Sequence, residues 1–222
     1  MKLYIININS IPDPRDTCLP KHYPLAKKDR MLGISDSIKR KQAFASVILQ
    51  DKILSQHGKT FSDIYYGPHN KPLCNDLHFN ISHSKDLVIC AVSDHCVGCD
   101  IENTYRQLDD ERIIKLSSRF FHKKETALLE KLASNQKSSF IYTFYRLWTI
   151  KESYLKMTGE GLTYPLADCL VSFDNNRACM LIDNMVASCS IMETDYNEYH
   201  ISICHQGPYE EILCTLVEHP FP

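Results

Sequence analysis

Residues 77–102 read Leu-His-Phe-Asn-Ile-Ser-His-Ser-Lys-Asp-Leu-Val-Ile-Cys-Ala-Val-Ser-Asp-His-Cys-Val-Gly-Cys-Asp-Ile-Glu. Three short runs, His78–Ser82, Leu87–Val92 and Val97–Ile101, are separated by turn-forming residues, which predicts three strands in a meander. In the last run the period of a strand places Asp100 and Glu102 on one face and Cys99 and Ile101 on the other. Neighbouring carboxylates repel unless something positive lies between them, and a hard divalent cation takes one or two carboxylates beside phosphate oxygens and water. A strand end whose acids face water fits the same pattern, so spacing alone leaves both readings open.

Working outward, residues 3–9 form a predicted opening strand, followed by a loop punctuated by Pro12, Pro14 and Pro20. In the next helix Ser35 or Asp36 can cap the start, Ile38, Ala45, Ile48, Leu49 and Ile53 recur at helical spacing, and Gly58 offers a left-handed stop. Downstream, residues 112–132 read as helical with a break near His122, and Ser138 can cap a long helix ending before Gly159. Four strands are predicted after it, at 169–173, 185–192, 199–204 and 212–217. Helix and antiparallel strand segments in both halves indicate an α+β fold of two similar lobes.

The 222 residues are 44% hydrophobic and 23% charged, a composition that excludes disordered, collagenous and low-complexity classes. Lys plus Arg number 25 against 27 Asp plus Glu, leaving a formal charge of −2 and no global field for nucleic acid or a membrane surface. One local exception exists: Lys27, Lys28, Arg30, Lys39, Arg40 and Lys41 outnumber Asp29 and Asp36, six cations against two acids. The opening residues lack the apolar core of a signal peptide, and no stretch approaches the run of about 20 apolar residues that spans a bilayer, so a cytoplasmic protein is expected. Of the ten cysteines, Cys96 and Cys99 form a C-x-x-C with no second pair at zinc-site spacing, and free core thiols are expected. Neither a P-loop nor a Rossmann glycine pattern occurs.

In the long helix Phe140, Ile141, Phe144, Leu147, Trp148, Tyr154 and Leu155 share one apolar stripe. Lys151 falls within that stripe and must either reach out of it or meet an anion. Glu152 sits at its edge, with Lys156 one turn on, the spacing of an ordinary surface ion pair as well as of a site. Asn80-Ile81-Ser82-His83-Ser84 gathers hydrogen-bonding groups at a strand end, and Asn70-Lys71-Pro72 sets one cation on a rigid turn.

Taken in order, Lys71-Pro72, Phe79-Asn80-Ile81-Ser82-His83-Ser84, Gly98-Cys99-Asp100-Ile101-Glu102, Arg119-Phe120-Phe121 with Glu125, and Trp148-Thr149-Ile150-Lys151-Glu152-Ser153-Tyr154-Leu155-Lys156 with Gly159 and Gly161 resemble the 4′-phosphopantetheinyl transferases. The length, and the long loop before the W-x-x-K-E-S helix, look like the monomeric, surfactin-synthetase-activating branch rather than the short trimeric acyl-carrier-protein synthases. The resemblance is sharp from about Tyr66 to Leu162. It implies two pseudo-symmetric α+β lobes, each a small antiparallel sheet against helices, with coenzyme A between them; the expected boundary divides 1–103 from 104–222.

By that resemblance Asp100, Glu102 and Glu152 would bind Mg²⁺, or Mn²⁺, against the coenzyme's diphosphate. Ser82 and His83 would meet its phosphates, Lys71 and Pro72 its adenine end, and Lys28 and Lys41 its 3′-phosphate, with Lys27, Arg30 or Arg40 as substitutes. Lys151 and Lys156 complete the expected cofactor-binding set. Glu152 would act as base and Lys156 would assist the departing phosphate, in transfer of the phosphopantetheine arm to a serine of an apo peptidyl or acyl carrier protein. The carrier would dock near the loop and helix before W-x-x-K-E-S and near Gly159 to Leu170, where Leu162, Tyr164 and Leu166 could meet it. Two positions depart from the family pattern: Asn70, where Gly usually precedes Lys-Pro, and Cys99, commonly aliphatic. A Mg²⁺-dependent nucleotide phosphodiesterase and a non-catalytic coenzyme A-binding protein are the rival readings.

Overall fold

A computed structural model describes residues 1–105, 108–175 and 177–217. In chain order the elements are β1 (Lys2–Asn7), α1 (Leu25–Leu32), α2 (Ser37–Gln56), β2 (Ile64–Tyr66), β3 (Pro72–Cys74), β4 (His78–Ser84), β5 (Leu87–Ser93), β6 (Val97–Asn103), α3 (Asp110–Phe120), α4 (Lys123–Asn135), α5 (Lys137–Thr158), β7 (Cys169–Asp174), β8 (Arg177–Ile182), β9 (Met185–Val186), β10 (Ser190–Tyr196), β11 (Tyr199–His205) and β12 (Leu213–Leu216). Local chemistry sets several boundaries. Asp36 caps α2 by accepting from the Ile38 and Lys39 amides. His122 caps α4, and Glu125 reaches back to the His122 amide to complete a capping box. Gly159, at φ +80°, ends α5 in the left-handed conformation.

The two larger sheets have strand orders β12-β1-β5-β4 and β10-β11-β6. β4 and β5 form the expected hairpin, but the third strand does not continue the meander: β6 leaves and pairs antiparallel with β11. The order β1-β5-β4 repeats as β6-β11-β10, with α2 or α5 lying between the first and second strands each time. The ladder to β11 places Val97–Asn103 in the second sheet. β12 returns to the first sheet, parallel to β1, so that sheet is not wholly antiparallel.

Period-two alternation builds the layers. On β5, Val88, Cys90 and Val92 face a core shared with Phe44, Val47, Ile48 and Leu49 of α2, whereas Leu87, Ile89 and Ala91 face a second core. That second core also takes Leu3 and Ile5 of β1, Cys99 and Ile101 of β6, and Ile201 and Ile203 of β11, so the two sheets pack on each other through it. A third core joins Phe140, Phe144, Leu147, Ile150 and Leu155 of α5 to Phe121, Leu129 and the β7–β8 hairpin.

Lys151 does meet an anion within the stripe of α5. Its ammonium, 1% exposed, lies 3.0 Å from Glu125 Oε2 and donates to the carbonyls of Leu166 at 3.0 Å and Cys169 at 2.6 Å. Glu125 Oε1 accepts from the Val171 amide at 2.7 Å, so one buried pair ties α4, α5 and β7 together. Removing one member strands the other charge out of water. Lys151→Met is therefore expected to cost about 3–5 kcal/mol in urea denaturation, with part recovered in the Glu125→Gln/Lys151→Met double variant; an unchanged midpoint in the single variant would contradict this.

Candidate functional site

β4 and β6 lie side by side at the meeting of the two sheets, yet no backbone ladder among the described residues joins them. Side chains of alternate β4 residues bridge the gap instead. Asn80 Oδ1 accepts from the Cys99 amide at 2.9 Å, and Ser82 Oγ donates to Asp100 Oδ1 at 2.7 Å. Ser84 Oγ donates to Glu102 Oε2 at 2.8 Å and accepts from the Asn103 amide at 3.2 Å. The N-I-S-H-S segment is thus a polar seam that holds both acids of β6. Cys99 packs beneath it, its thiol donating to the Asn80 carbonyl at 3.2 Å and pushed up to about 12 by burial, which makes it a poor redox partner for Cys96.

From the other side α5 descends onto Gly98. A Cβ there would drive into the Met157 amide nitrogen and the Ser153 carbonyl oxygen, with Lys156 C at 2.7 Å, so only glycine admits the helix backbone. That approach carries Lys156 Nζ to 2.6 Å from Asp100 Oδ1 and 2.9 Å from Ser82 Oγ. Burial works against the lysine's charge, but Asp100 and Glu152 outweigh it and its pKa is raised. Glu152 is pushed up to about 7, by burial first and then by Asp100 and Glu102, against a downward pull from Lys156.

Two acids of β6 and a third from α5, fifty residues on, therefore feel one another beside the seam. Asp100 Oδ2 is buried without a hydrogen-bond partner, the condition of an oxygen that lacks its cation. Among the described residues no three acids or histidines form a ready-made cage, since the ammonium of Lys156 stands against Asp100 where a cation would approach. Hard oxygen donors, an orphaned carboxylate oxygen and a carboxyl raised by burial and by its like-charged neighbours together fit a hard divalent ion.

A cleft of about 210 Å³ opens beside these acids, lined by Pro68, His69, Lys71, Pro72, Asn80, Ile81, Glu152, Leu155, Lys156, Gly159 and Gly161. Asn70, where the family pattern has Gly, takes φ +59°, a left-handed value that Asn tolerates, so the turn keeps the backbone a glycine would give it. Lys71 reaches across the lobes to the carbonyls of Met157 at 2.9 Å and Val97 at 3.3 Å, and burial lowers its pKa. His83 is exposed on β4; desolvation and the nearby Lys156 lower its pKa. A larger hollow of about 740 Å³ lies between α4 and the β7–β8 hairpin and contains none of the clustered acids.

The structure thus brings together Lys71, Pro72, Ser82, His83, Asp100, Glu102, Glu152 and Lys156. Lys28, on α1, and Lys41, whose Nζ is 3.4 Å from the Ile8 carbonyl, do not line the cleft. Arg40 is withdrawn from any ligand role by paired contacts to Asp13, one of 2.5 Å, and by the Ile34 and Ser35 carbonyls. Lys151, expected to bind cofactor, does not line the cleft: its ammonium is enclosed by Glu125 and the Leu166 and Cys169 carbonyls. Of the apolar residues expected to meet a carrier, Leu166 is core, Tyr164 is half-buried beside the Tyr154 ring, and the side chain of Leu162 lies outside the described residues. Sequence reasoning singled out neither Ser84 nor the bridging role of Asn80; their place on the same strand face as Ser82 was the available signal.

A family model described as the 4′-phosphopantetheinyl transferase superfamily matches residues 96–204. The chain is 30% identical over 214 residues to the 4′-phosphopantetheinyl transferase Sfp of Bacillus subtilis (strain 168), covering 91% of this chain and 89% of that protein. It is 35% identical over 151 residues to the 4′-phosphopantetheinyl transferase gsp of Aneurinibacillus migulanus, covering 68% of this chain and 56% of that protein. A solved holo-(acyl-carrier-protein) synthase from Bacillus anthracis str. Ames, in complex with CoA (3′,5′-ADP), matches 49% of this chain and 91% of its own at 17% identity, with a TM-score of 0.37.

Proposed function

Since the chain belongs to the 4′-phosphopantetheinyl transferase superfamily, we propose that its seam moves the 4′-phosphopantetheine arm of coenzyme A onto a serine hydroxyl of an apo peptidyl or acyl carrier protein, releasing adenosine 3′,5′-bisphosphate. The observation that carries this reading is the clustering of Asp100 and Glu102 of β6 with Glu152 and Lys156 of α5, the last two lining the cleft, with Asp100 Oδ2 buried and unpartnered.

Asp100, Glu102 and Glu152 would hold Mg²⁺ or Mn²⁺, both suited to oxygen donors. Bound there, the ion would supply positive charge against the coenzyme's diphosphate. Lys71 and Pro72 flank the adenine end of the cleft, and Ser82 and His83 face the phosphates. Glu152 accepts the proton of the attacking serine, directly or through a water; the cation beside it keeps the carboxyl ionised and so able to take that proton. As the phosphorus–oxygen bond to the leaving bisphosphate breaks, Lys156 neutralises the charge that collects on it. Lys28 and Lys41 act outside the narrow cleft, on the 3′-phosphate.

A monomer is part of this reading, in keeping with the repeated sheet order carried twice within the chain. The hollow between α4 and the β7–β8 hairpin is lined by His122, Lys123, Asp168 and Leu170, the two segments expected to receive the carrier, and is assigned to it. Among the described residues no helix is long and apolar enough to cross a membrane. The cytoplasm, where the carriers are made, is the proposed compartment.

Incubating the protein with coenzyme A, Mg²⁺ and a panel of apo carrier domains, then weighing the carriers, tests the reading. A mass gain equal to one phosphopantetheine on a carrier serine is expected. Cleavage of coenzyme A without carrier modification would favour the phosphodiesterase, and binding without either would favour a non-catalytic coenzyme-binding protein.

A further inference from the structure

The sheet face that carries Asp100 and Glu102 continues across two more strands. Register sets Asp100 opposite Ser202 and Ser202 opposite Glu193, and sets Glu102 opposite His200 and His200 opposite Asp195. Directly opposed residues share a face, so two rungs, Asp100–Ser202–Glu193 and Glu102–His200–Asp195, lie beneath α5. Each rung has a carboxylate at either end and a hydrogen-bonding group in the middle.

α5 answers these rungs along a stripe of its own. Tyr142 OH donates to Asp195 Oδ2 at 3.2 Å, and Arg146 grips both oxygens of Glu193 at 2.7 and 2.8 Å. Thr149 Oγ1 lies 2.9 Å from Ser202 Oγ, and Lys156 reaches Asp100. Positions 142, 146, 149, 153 and 156 advance by fours and threes, which keeps them on one face of a helix.

At its centre the arrangement has a direction. The Thr149 hydroxyl donates to the Arg146 carbonyl at 3.0 Å, so its oxygen is left to accept the proton of Ser202. Ser202 Oγ lies 3.4 Å from His200 Nε2, and the His200 ring is held by Asp195 at 2.7 Å and Glu193 at 3.1 Å. Ser202 and His200 are 0% and 2% exposed, and neither lines the cleft. Apolar contacts alone would hold α5 to the sheet but tolerate small rotations and slides; a satisfied buried hydroxyl pair accepts only one register. This pair sits one helical turn before Glu152.

We propose that Ser202 and His200, acting through Thr149, are positioning residues that fix the rotation and height of α5 on β6, and hence the separation of Glu152 from Asp100 and Glu102. The inference rests on the transfer reading above for its kinetic consequence, and on the three acids for its cation-binding one.

The test uses the full chain with coenzyme A bound. Mg²⁺ is titrated calorimetrically into the parent, Ser202→Ala, Thr149→Val and the conservative Ser202→Thr, and kcat and KM for coenzyme A are measured separately with an apo carrier. Ser202→Ala and Thr149→Val are each expected to weaken Mg²⁺ binding and to lower kcat by about tenfold, with KM within about twofold, because groups supporting metal ligands typically carry effects of that size. Ser202→Thr should restore both quantities. Parental Mg²⁺ affinity in Thr149→Val would overturn the proposal, even if Ser202→Ala failed to fold. So would a rise in KM with kcat and Mg²⁺ affinity unchanged. A parent that binds Mg²⁺ and coenzyme A but modifies no carrier would defeat the transfer reading alone, and the calorimetric comparison would still decide the positioning role.

Discussion

Glu152→Gln is expected to lower carrier modification by about 10³-fold, within the range for loss of a positioned acid–base group, while making the metal-free protein more stable above neutral pH. Both halves follow from one fact: the Glu152 carboxyl is half-buried, with Asp100 and Glu102 nearby, and is displaced upward to about 7 from an ordinary 4.5. A carboxyl whose folded value lies above its unfolded one binds its proton more tightly when folded. Its favourable contribution is therefore complete below about 4.5 and is lost as pH rises through about 7. At roughly 1.4 kcal/mol per pH unit, the ionised group costs the folded state on the order of 3 kcal/mol at pH 8, an upper figure because Glu152 is partly exposed.

Gln carries no such charge and does not incur that cost. Urea denaturation in the presence of a chelator should show variant and parent close together at pH 4.5, with the variant increasingly the more stable towards pH 8. Adding Mg²⁺ and coenzyme A should stabilise both proteins but the parent more, narrowing the gap, because only the parent's ionised carboxylate gains the cation's charge. Coenzyme binding should fall less than turnover, since most of the cleft is unchanged. Equal turnover in the two proteins would remove Glu152 from the chemistry, and a stability gap that ignores pH would show that the acids are not crowded.

How much of this was legible depends on whether the controlling interaction is local. The strict period of a strand put Asp100 and Glu102 on one face, and Asp36, His122 and Gly159 marked helix ends through chemistry confined to a few neighbouring residues. What β6 pairs with was not legible, because the run Val97–Ile101 reads the same whether its partner is the preceding hairpin or a strand a hundred residues on. The same limit explains Lys151 and Arg40. Each looked available to a ligand until the fold supplied Glu125 to one and Asp13 to the other. Within α5 the apolar stripe drew attention away from the polar one, Tyr142, Arg146, Thr149 and Lys156, whose partners on β10, β11 and β6 cannot be read from the helix itself. α1 lay inside the basic run, where charge masked its short helical pattern.

Gly98→Ala is expected to be the most damaging single-methyl change in the protein. Its added carbon would meet main-chain atoms of α5 at Ser153, Lys156 and Met157, none of which can swing aside as a side-chain end would. Relief requires the helix to lift from β6 as a body, breaking the Cys204–Met157 sulfur contact and the Lys156–Asp100 pair together. Forcing extra volume into a packed interior typically costs about 1–3 kcal/mol, and a backbone-to-backbone collision belongs at or above the upper end. That is a large part of the ~5–15 kcal/mol by which domains are stable, so much of the variant should appear in the insoluble fraction. Whatever folds should have lost transfer further than its stability alone would require, because the displacement separates Glu152 and Lys156 from Asp100 and Glu102 even when the lobes remain intact. Soluble Gly98→Ala with the parent's unfolding midpoint and turnover would mean that α5 does not rest on β6 at this point, and the closeness of the acids would then need another cause.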